Sequence, residues 1–235
     1  MVRAMRHVGR REAIGGMAAM LAAPALAAAP PAHATPLEAA GWKHLTFRKL
    51  APTRFSPGAD GAIDIVAERS SSILYRAVRV DPAATPWLEW RWRVDAGVPA
   101  TDLAKKGGDD RSLAVLVGFA FDRANATRGE ATRHRLETMM AGSEPPGVVI
   151  FYVWGGAEAG RTVRSPYRRN NFLVIRRAAD ASTGRWFDER VDVATDYRRL
   201  TGHPAPPIIQ LGLCSDGDDT GTTVRGAVSA FRWGR

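Results

Sequence analysis

The segment from Trp87 to Asp95 constrains the fold of this chain more than any other stretch of the sequence. Its alternate positions are large and apolar, namely Leu88, Trp90, Trp92 and Val94. The positions between them carry most of the charge, namely Glu89, Arg91 and Arg93. A period of two is typical of a β-strand, whereas a helix would distribute the three tryptophans around its circumference. The segment therefore predicts a strand with one charged face and one face in a core.

Further segments have the pattern of short strands between turns rich in Gly, Pro and Asp. They are residues 42–47, 62–67, 72–80, 112–121, 148–154, 172–176, 186–193, 208–214 and 224–233. Residues 112–121 are apolar on both faces, which predicts a central strand covered by a second sheet on one side and by a loop or helix on the other. Thr195 is predicted to cap a short helix that runs to Leu200. The sequence therefore predicts an all-β fold, a β-sandwich of the jelly-roll (concanavalin- or galactose-binding-like) type with a few short helices.

One polar segment interrupts the succession of strands. Residues 123–141 lack β-branched runs and place Leu136, Met139 and Met140 at helical spacing. This pattern predicts a partly helical surface insertion that is too small to be a domain. We expect a single domain over residues 36–235.

The first 34 residues have the organisation of an export signal. Basic residues up to Arg11 precede an apolar run from Ile14 to Ala29, and Ala32–Ala34 fits a small-residue cleavage site. The pair Arg10-Arg11 is compatible with a twin-arginine signal and equally with the positive start of a Sec signal. Because the apolar run is short and contains Pro24, no transmembrane segment is expected after signal removal. The protein is expected to be periplasmic or secreted.

Charge and cysteine content exclude some classes of function. The formal net charge is +9, but no run of five basic residues occurs, which favours a solvated arginine-rich surface over a nucleic-acid partner. Cys214 is the single cysteine, so no intramolecular disulfide can form, and its apolar surroundings predict a buried thiol. Common hydrolase and phosphate-loop motifs are absent from the sequence. A glycosidase remains possible because it needs only two well-placed carboxylates.

An acidic loop near the end of the chain is a candidate metal site. Asp216, Asp218 and Asp219 alternate with glycine and threonine, and oxygen ligands on a tight turn suit calcium. Residues 222–235 contain no acidic residue that could serve as the downstream glutamate of an EF-hand loop. A polar loop without a cofactor, in which the aspartates bond to their own backbone, is the favoured alternative.

A second acidic motif, Asp109-Asp110, precedes the strand at 112–121. Adjacent strand residues face opposite sides, so the pair alone is not an acid/base dyad. If the two strands are neighbours, Asp110 would meet the loop at 216–219. The result would be either a calcium site or a pair of carboxylates for sugar chemistry.

Two aromatic residues are candidates for ligand binding. Trp154 ends a predicted strand beside Gly155-Gly156, and Tyr167 lies in the loop that follows. An aromatic ring at a loop mouth can stack on a sugar ring, although buried tryptophans more often belong to the core. The candidate ligand-binding residues are therefore Trp154, Tyr167, Asp110, Asp216, Asp218 and Asp219.

These motifs in combination resemble the bacterial domain-of-unknown-function family 3047. They are Trp87–Asp95, Asp102-Leu103 with Lys106, Gly108–Asp110, Tyr152–Gly155, Ser165–Tyr167, Trp186 with Glu189-Arg190, Asp196-Tyr197 and Asp216–Thr220. The resemblance covers nearly all of the mature chain and implies an exported β-sandwich domain without an established activity. The sequence departs from the family pattern at 123–141, and at Ser229-Ala230, where an acidic residue is expected.

The favoured function is a non-catalytic binding module for a carbohydrate or envelope glycan. One alternative is a hydrolase acting on glycans, with Asp110 and the aspartates of 216–219 as acid and base. Another is an envelope structural or assembly protein with a protein partner. The site prediction requires that Asp110 and the 216–219 loop converge on one concave surface that also exposes Trp154 or Tyr167.

Overall fold

Two β-sheets packed face to face make up the part of the chain that the computed structural model describes, residues 35–235. The predicted export signal lies outside the described residues. Twelve strands lie within them: β1 (Lys43–Thr46), β2 (Arg54–Pro57), β3 (Ile63–Glu68), β4 (Ser71–Val80), β5 (Trp87–Ala96), β6 (Arg111–Phe119), β7 (Val148–Trp154), β8 (Thr162–Arg164), β9 (Asn171–Arg177), β10 (Phe187–Asp192), β11 (Ile208–Asp216) and β12 (Thr223–Gly234).

One sheet has seven strands in the order β1-β4-β11-β6-β7-β9-β8, and the other has five in the order β10-β5-β12-β3-β2. Neighbouring strands are antiparallel except β7 and β9, which are parallel. The all-β sandwich predicted from the sequence is confirmed. Two short strands at sheet edges, β2 and β8, escaped prediction because Pro57 and the glycines near β8 resemble breaks, although edge strands tolerate proline.

Residues 35–235 also contain three α-helices: α1 (Pro36–Ala39), which precedes β1, and α2 (Arg128–Ala141) and α3 (Val193–Thr201), which connect strands. Helix α2 lies in the predicted insertion and begins at a capping box formed by Thr127 and Glu130. The prediction that Thr195 caps α3 is wrong. Asp192 is the cap, because its carboxylate accepts hydrogen bonds from the backbone N–H and the hydroxyl of Thr195 within the first turn.

The main core lies between the sheets and is organised around β5. The apolar face of this strand is buried as predicted, with Trp90 and Trp92 at most 1 % exposed. Their rings meet edge to face with centroids 5.4 Å apart, and Trp92 meets Trp154 of the opposite sheet at 5.5 Å. Edge-to-face contacts add to the free energy gained from burial alone. The tryptophans of β5 therefore fix how the two sheets pack.

A second apolar cluster covers part of the outer face of the seven-stranded sheet. Leu116 of β6, Phe151 of β7 and Leu173 of β9 pack there with Leu103, which belongs to the loop between β5 and β6. Strand β6 is thus buried on both faces, as its sequence predicts, and the outer cover is this loop. Among residues 35–235, no helix combines the length and apolar character needed to cross a bilayer.

A buried glutamate links the edges of the two sheets. Glu189 of β10 accepts a hydrogen bond from the indole N–H of Trp92 at 3.3 Å. It also pairs with Arg176 and Arg177 of β9, at 3.0 and 2.8 Å. The carboxylate therefore satisfies polar groups on both sheets.

We expect Glu189→Ala to lower the free energy of unfolding by roughly 1–3 kcal/mol, because it leaves the buried Trp92 indole without an acceptor. Chemical denaturation of the purified variants measures this loss. Glu68→Ala is the matched control, since Glu68 pairs with Arg54 on an exposed surface and such pairs contribute about 0–1 kcal/mol. Equal losses in the two variants would contradict the role assigned to Glu189.

Candidate functional site

A groove of about 90 Å³ lies on the outer face of the seven-stranded sheet. Its floor consists of Leu116, Phe151 and Leu173, side chains of three adjacent strands. Gly118 allows Pro146 to pack directly on the sheet beside this floor, because a Cβ at position 118 would lie only 2.7 Å from Pro146 Cγ. The remaining apolar lining is Leu45, Phe47, Ile73, Pro146 and Val149, and the polar lining is Asp109, Arg111, Ser165, Arg168, Asn171 and Gln210.

Arg111 closes one end of the groove and is nearly fully buried. Its guanidinium lies 5.5 Å from the centroid of the Phe151 ring. Its Nη1 donates to the backbone carbonyl of Asp109 at 2.7 Å and lies 3.3 Å from Asp216 Oδ2. Burial acts to lower the pKa of Arg111, but its neighbours Cys214, Asp216 and Asp109 together outweigh burial, so the pKa is raised and the group stays charged.

An acidic cluster lies directly behind this arginine. Asp110 precedes β6 and Asp216 ends β11, and the antiparallel pairing of these strands places Asp216 opposite Arg111. The predicted convergence of Asp110 with the acidic loop therefore occurs. The Asp110 carboxylate accepts hydrogen bonds from the backbone N–H and hydroxyl of Thr220 at 2.7 and 2.6 Å, and from the N–H of Asp219 at 3.4 Å. Asp110 thus holds the loop in place.

The crowded carboxylates shift one another's protonation equilibria. Burial raises the pKa of Asp216 well above its ordinary value, with added repulsion from Asp109 and Asp218. Burial also raises the pKa of Asp109. The pKa of Asp219 is raised to about 6 by burial and by the adjacent Asp218. Each of these shifts favours the protonated, neutral form of the carboxyl group.

The prediction that Trp154 forms part of an exposed ligand surface is wrong. Trp154 has no exposed surface, because it is the last of the alternate residues of β7 that point between the sheets. Its ring packs against Trp92 and Phe187 with centroids 5.5 and 5.4 Å away. It is a core residue.

Tyr167 lies at the charged end of the site but does not line the groove. Its hydroxyl accepts a hydrogen bond from the backbone N–H of Gly107 at 3.1 Å, and its ring lies 5.8 Å from Lys106 Nζ. Partial burial raises the pKa of Tyr167 to about 12, so the hydroxyl stays protonated. Tyr167 holds the β5–β6 loop, and a direct role in ligand binding stays a prediction.

None of the ligand-binding residues predicted from the sequence lines the groove. The residues that the prediction missed include Arg111, Phe151, Asn171 and Gln210. The sequence feature that could have indicated the groove is the apolar character of residues 112–121 and 148–154 on both faces. This feature predicts that the outer face of the seven-stranded sheet is covered. In the structure the loop with Leu103 covers only part of that face, and the groove occupies another part.

Comparisons with known proteins give a family and remote structural neighbours. The model of the family described as "Protein of unknown function (DUF3047)" matches residues 40–232. One of them is the solved structure of the xyloglucanase domain of NopAA, a type three effector from Sinorhizobium fredii, in complex with cellobiose. The structural match covers 82 % of this chain and 91 % of the NopAA chain. The identity is 5 % and the TM-score 0.45, values at which the likeness carries no argument about function. No curated protein matches the chain.

We expect Asp110→Ala to release the loop at 217–221, because three donors of Asp219 and Thr220 lose their acceptor. The local free energy of opening should fall by about 1–3 kcal/mol, measured as faster amide hydrogen exchange at Thr220. Asp188→Ala removes a carboxylate from an exposed ion pair with Arg91 and should leave this exchange unchanged. Unchanged exchange in Asp110→Ala would contradict the role of Asp110.

Replacement of Asp219 by Asn should change how stability depends on pH. The pKa of Asp219 is about 6 in the folded protein against an ordinary value of 3.8, so the folded state binds its proton more tightly. The contribution of Asp219 to the free energy of unfolding therefore decreases as the pH rises from about 4 to about 6. The Asp219→Asn variant lacks this titrating group. Measured in the presence of a chelator, the melting temperature of the variant minus that of the parent protein should therefore increase as the pH rises from about 4 to about 6.

The control for this measurement is Asp180→Asn, which removes one exposed negative charge outside the cluster. A difference between Asp219→Asn and the parent protein that stays constant from pH 4 to pH 7 would contradict the raised pKa of Asp219.

Proposed function

The chain belongs to the DUF3047 family, proteins of unknown function, and we propose that it is an exported, non-catalytic module that binds a carbohydrate of the cell envelope. The proposed binding site is the groove on the outer face of the seven-stranded sheet. Export rests on the signal-like pattern of residues 1–34.

The composition of the groove is the observation that carries this proposal. A sugar ring has an apolar C–H face and a rim of hydroxyl groups that both donate and accept hydrogen bonds. The floor of the groove is apolar and includes the Phe151 ring, while Asn171, Gln210 and Arg168 stand around it. Amides donate and accept and guanidinium groups donate, which suits hydroxyl groups. Apolar walls with a few convergent polar groups are typical of small-ligand sites.

The placement of the carboxylates favours binding over hydrolysis. Glycosidases need two carboxyl groups that both face the scissile bond. Among the described residues that line the groove, Asp109 is the one that carries a carboxylate, and it is paired with Arg111. Asp110 is completely buried and bound to the loop, so it is poorly placed to act as acid or base.

We expect Phe47→Ala and Gln210→Ala each to weaken glycan binding roughly 2- to 10-fold, the equivalent of about 0.5–1.5 kcal/mol. The ligand is first identified by a glycan array and by pull-down with purified cell-wall material, and the affinities are then measured by calorimetry. Trp186→Ala is the control, because its ring lies beside Arg91 and Arg93 on the outer face of the other sheet. It should bind like the parent protein.

Two other outcomes would overturn the proposal. Absence of glycan binding together with recovery of a tight protein partner would instead support an envelope assembly protein. Release of new reducing ends from the bound glycan would support the hydrolase.

A further inference from the structure

We propose that Asp110, Asp216 and Asp218 form a calcium site behind the charged end of the groove. The inference concerns the acidic cluster and does not depend on the ligand of the groove. It replaces the set predicted from the sequence, Asp216, Asp218 and Asp219, since Asp110 takes the place of Asp219.

The geometry of three carboxylates is the first argument. One oxygen from each of Asp110, Asp216 and Asp218 lies within 4.8 Å of the other two. Ligand oxygens lie 2.3–2.6 Å from calcium, so two of them on the same ion are separated by at most about 5 Å. The three oxygens are therefore close enough to bind one calcium ion. Magnesium demands a strict octahedron and gives up its water ligands reluctantly, so a loop site with three carboxylates favours calcium.

An unpartnered buried oxygen is the second and independent argument. Asp216 is only 4 % exposed, and its Oδ2 faces Arg111 Nη1 at 3.3 Å. Its Oδ1 is buried and has no hydrogen-bond partner among the described residues. A buried carboxyl oxygen without a hydrogen-bond partner costs free energy that a bound cation would recover.

The charge balance of the cluster points the same way. Asp109, Asp110, Asp216, Asp218 and Asp219 lie together, and Asp216 contacts Asp218 side chain to side chain. Arg111 pairs with Asp109 and Asp216 and supplies one positive charge. A cation between the carboxylates of Asp216 and Asp218 would relieve their mutual repulsion.

The position of the site allows a calcium ion to enter and to complete its coordination. Asp218 is half-buried and Asp219 is exposed, so the loop side of the cluster faces solvent. Water can supply the ligands that three carboxylates do not, since calcium takes six to eight oxygens. The hydrogen bonds from Thr220 to Asp110 hold the loop in its observed shape. With few protein ligands, we expect a dissociation constant of about 0.1–1 mM, as in extracellular modules.

Calcium titration of the chelator-treated, purified protein at pH 7 tests the site, by calorimetry and by thermal unfolding. We expect saturable calcium binding and a rise in melting temperature, with magnesium at the same ionic strength much less effective. At ten times the dissociation constant, calcium should shift the folding equilibrium about tenfold towards the native state.

Matched variants separate the proposed ligands from the rest of the loop. Asp218→Asn should raise the dissociation constant for calcium at least tenfold. The variant should remain folded, because Asp218 is partly exposed. Asp219→Asn should bind calcium like the parent protein. Asp216→Asn tests the buried ligand, and its result is interpreted only if its circular dichroism matches that of the parent.

The contrary outcomes are equally specific. If calcium leaves the melting temperature unchanged and calorimetry detects no binding, the proposal is wrong. If Asp218→Asn binds calcium as well as the parent protein does, the proposed ligand set is wrong. Neither result bears on glycan binding in the groove, which is measured separately.

Discussion

The antiparallel pairing of β6 with β11 is the interaction on which the groove and the acidic cluster depend. At one end of this pair Arg111 lies opposite Asp216, and towards the other end Gly118 lies opposite Gln210. The pairing of Arg111 with Asp216 forms the charged end of the groove. The pairing of Gly118 with Gln210 places a residue without a side chain next to a polar residue that lines the groove. A shift of one residue in this register would turn the lining residues of β11 to the opposite face of the sheet. The packing of Trp90 and Trp92 against the seven-stranded sheet resists such a shift, because it fixes which face of that sheet is inside.

Arg111 is the residue through which the two features contact each other. Its guanidinium faces Phe151 on the groove side and Asp216 on the side of the cluster. A buried arginine is tolerated only when carboxylates compensate for lost hydration. The cluster therefore supplies the charge that keeps the arginine in the groove wall, and the arginine removes part of the repulsion within the cluster. A ligand that contacts Arg111 would bind to a guanidinium that is also paired with Asp216.

Much of the fold is predictable from the sequence because its signals are local. The alternation in β5 identifies a strand and its inner face, and the apolar faces of β6 identify a central strand. The direction of Trp154 is not predictable in this way, since the other residues of β7 are apolar on both faces and do not distinguish inside from outside. The groove likewise depends on pairing partners far apart in sequence, such as Gly118 with Gln210. The convergence of Asp110 with the acidic loop could be stated only as conditional on strand order, which the sequence does not specify.

The acidic loop shows how spacing along the sequence and the fold group the carboxylates differently. Counting along the loop groups Asp219 with Asp216 and Asp218, because these residues are nearest in sequence. In the folded chain the backbone N–H of Asp219 donates to Asp110, and one oxygen of Asp110 lies within 4.8 Å of one oxygen from each of Asp216 and Asp218. The donors of Thr220 and Asp219 fix the position of Asp110. The arrangement of carboxylates is therefore set by protein hydrogen bonds, so a cation at the proposed site would bind to carboxylates that the fold has already brought together.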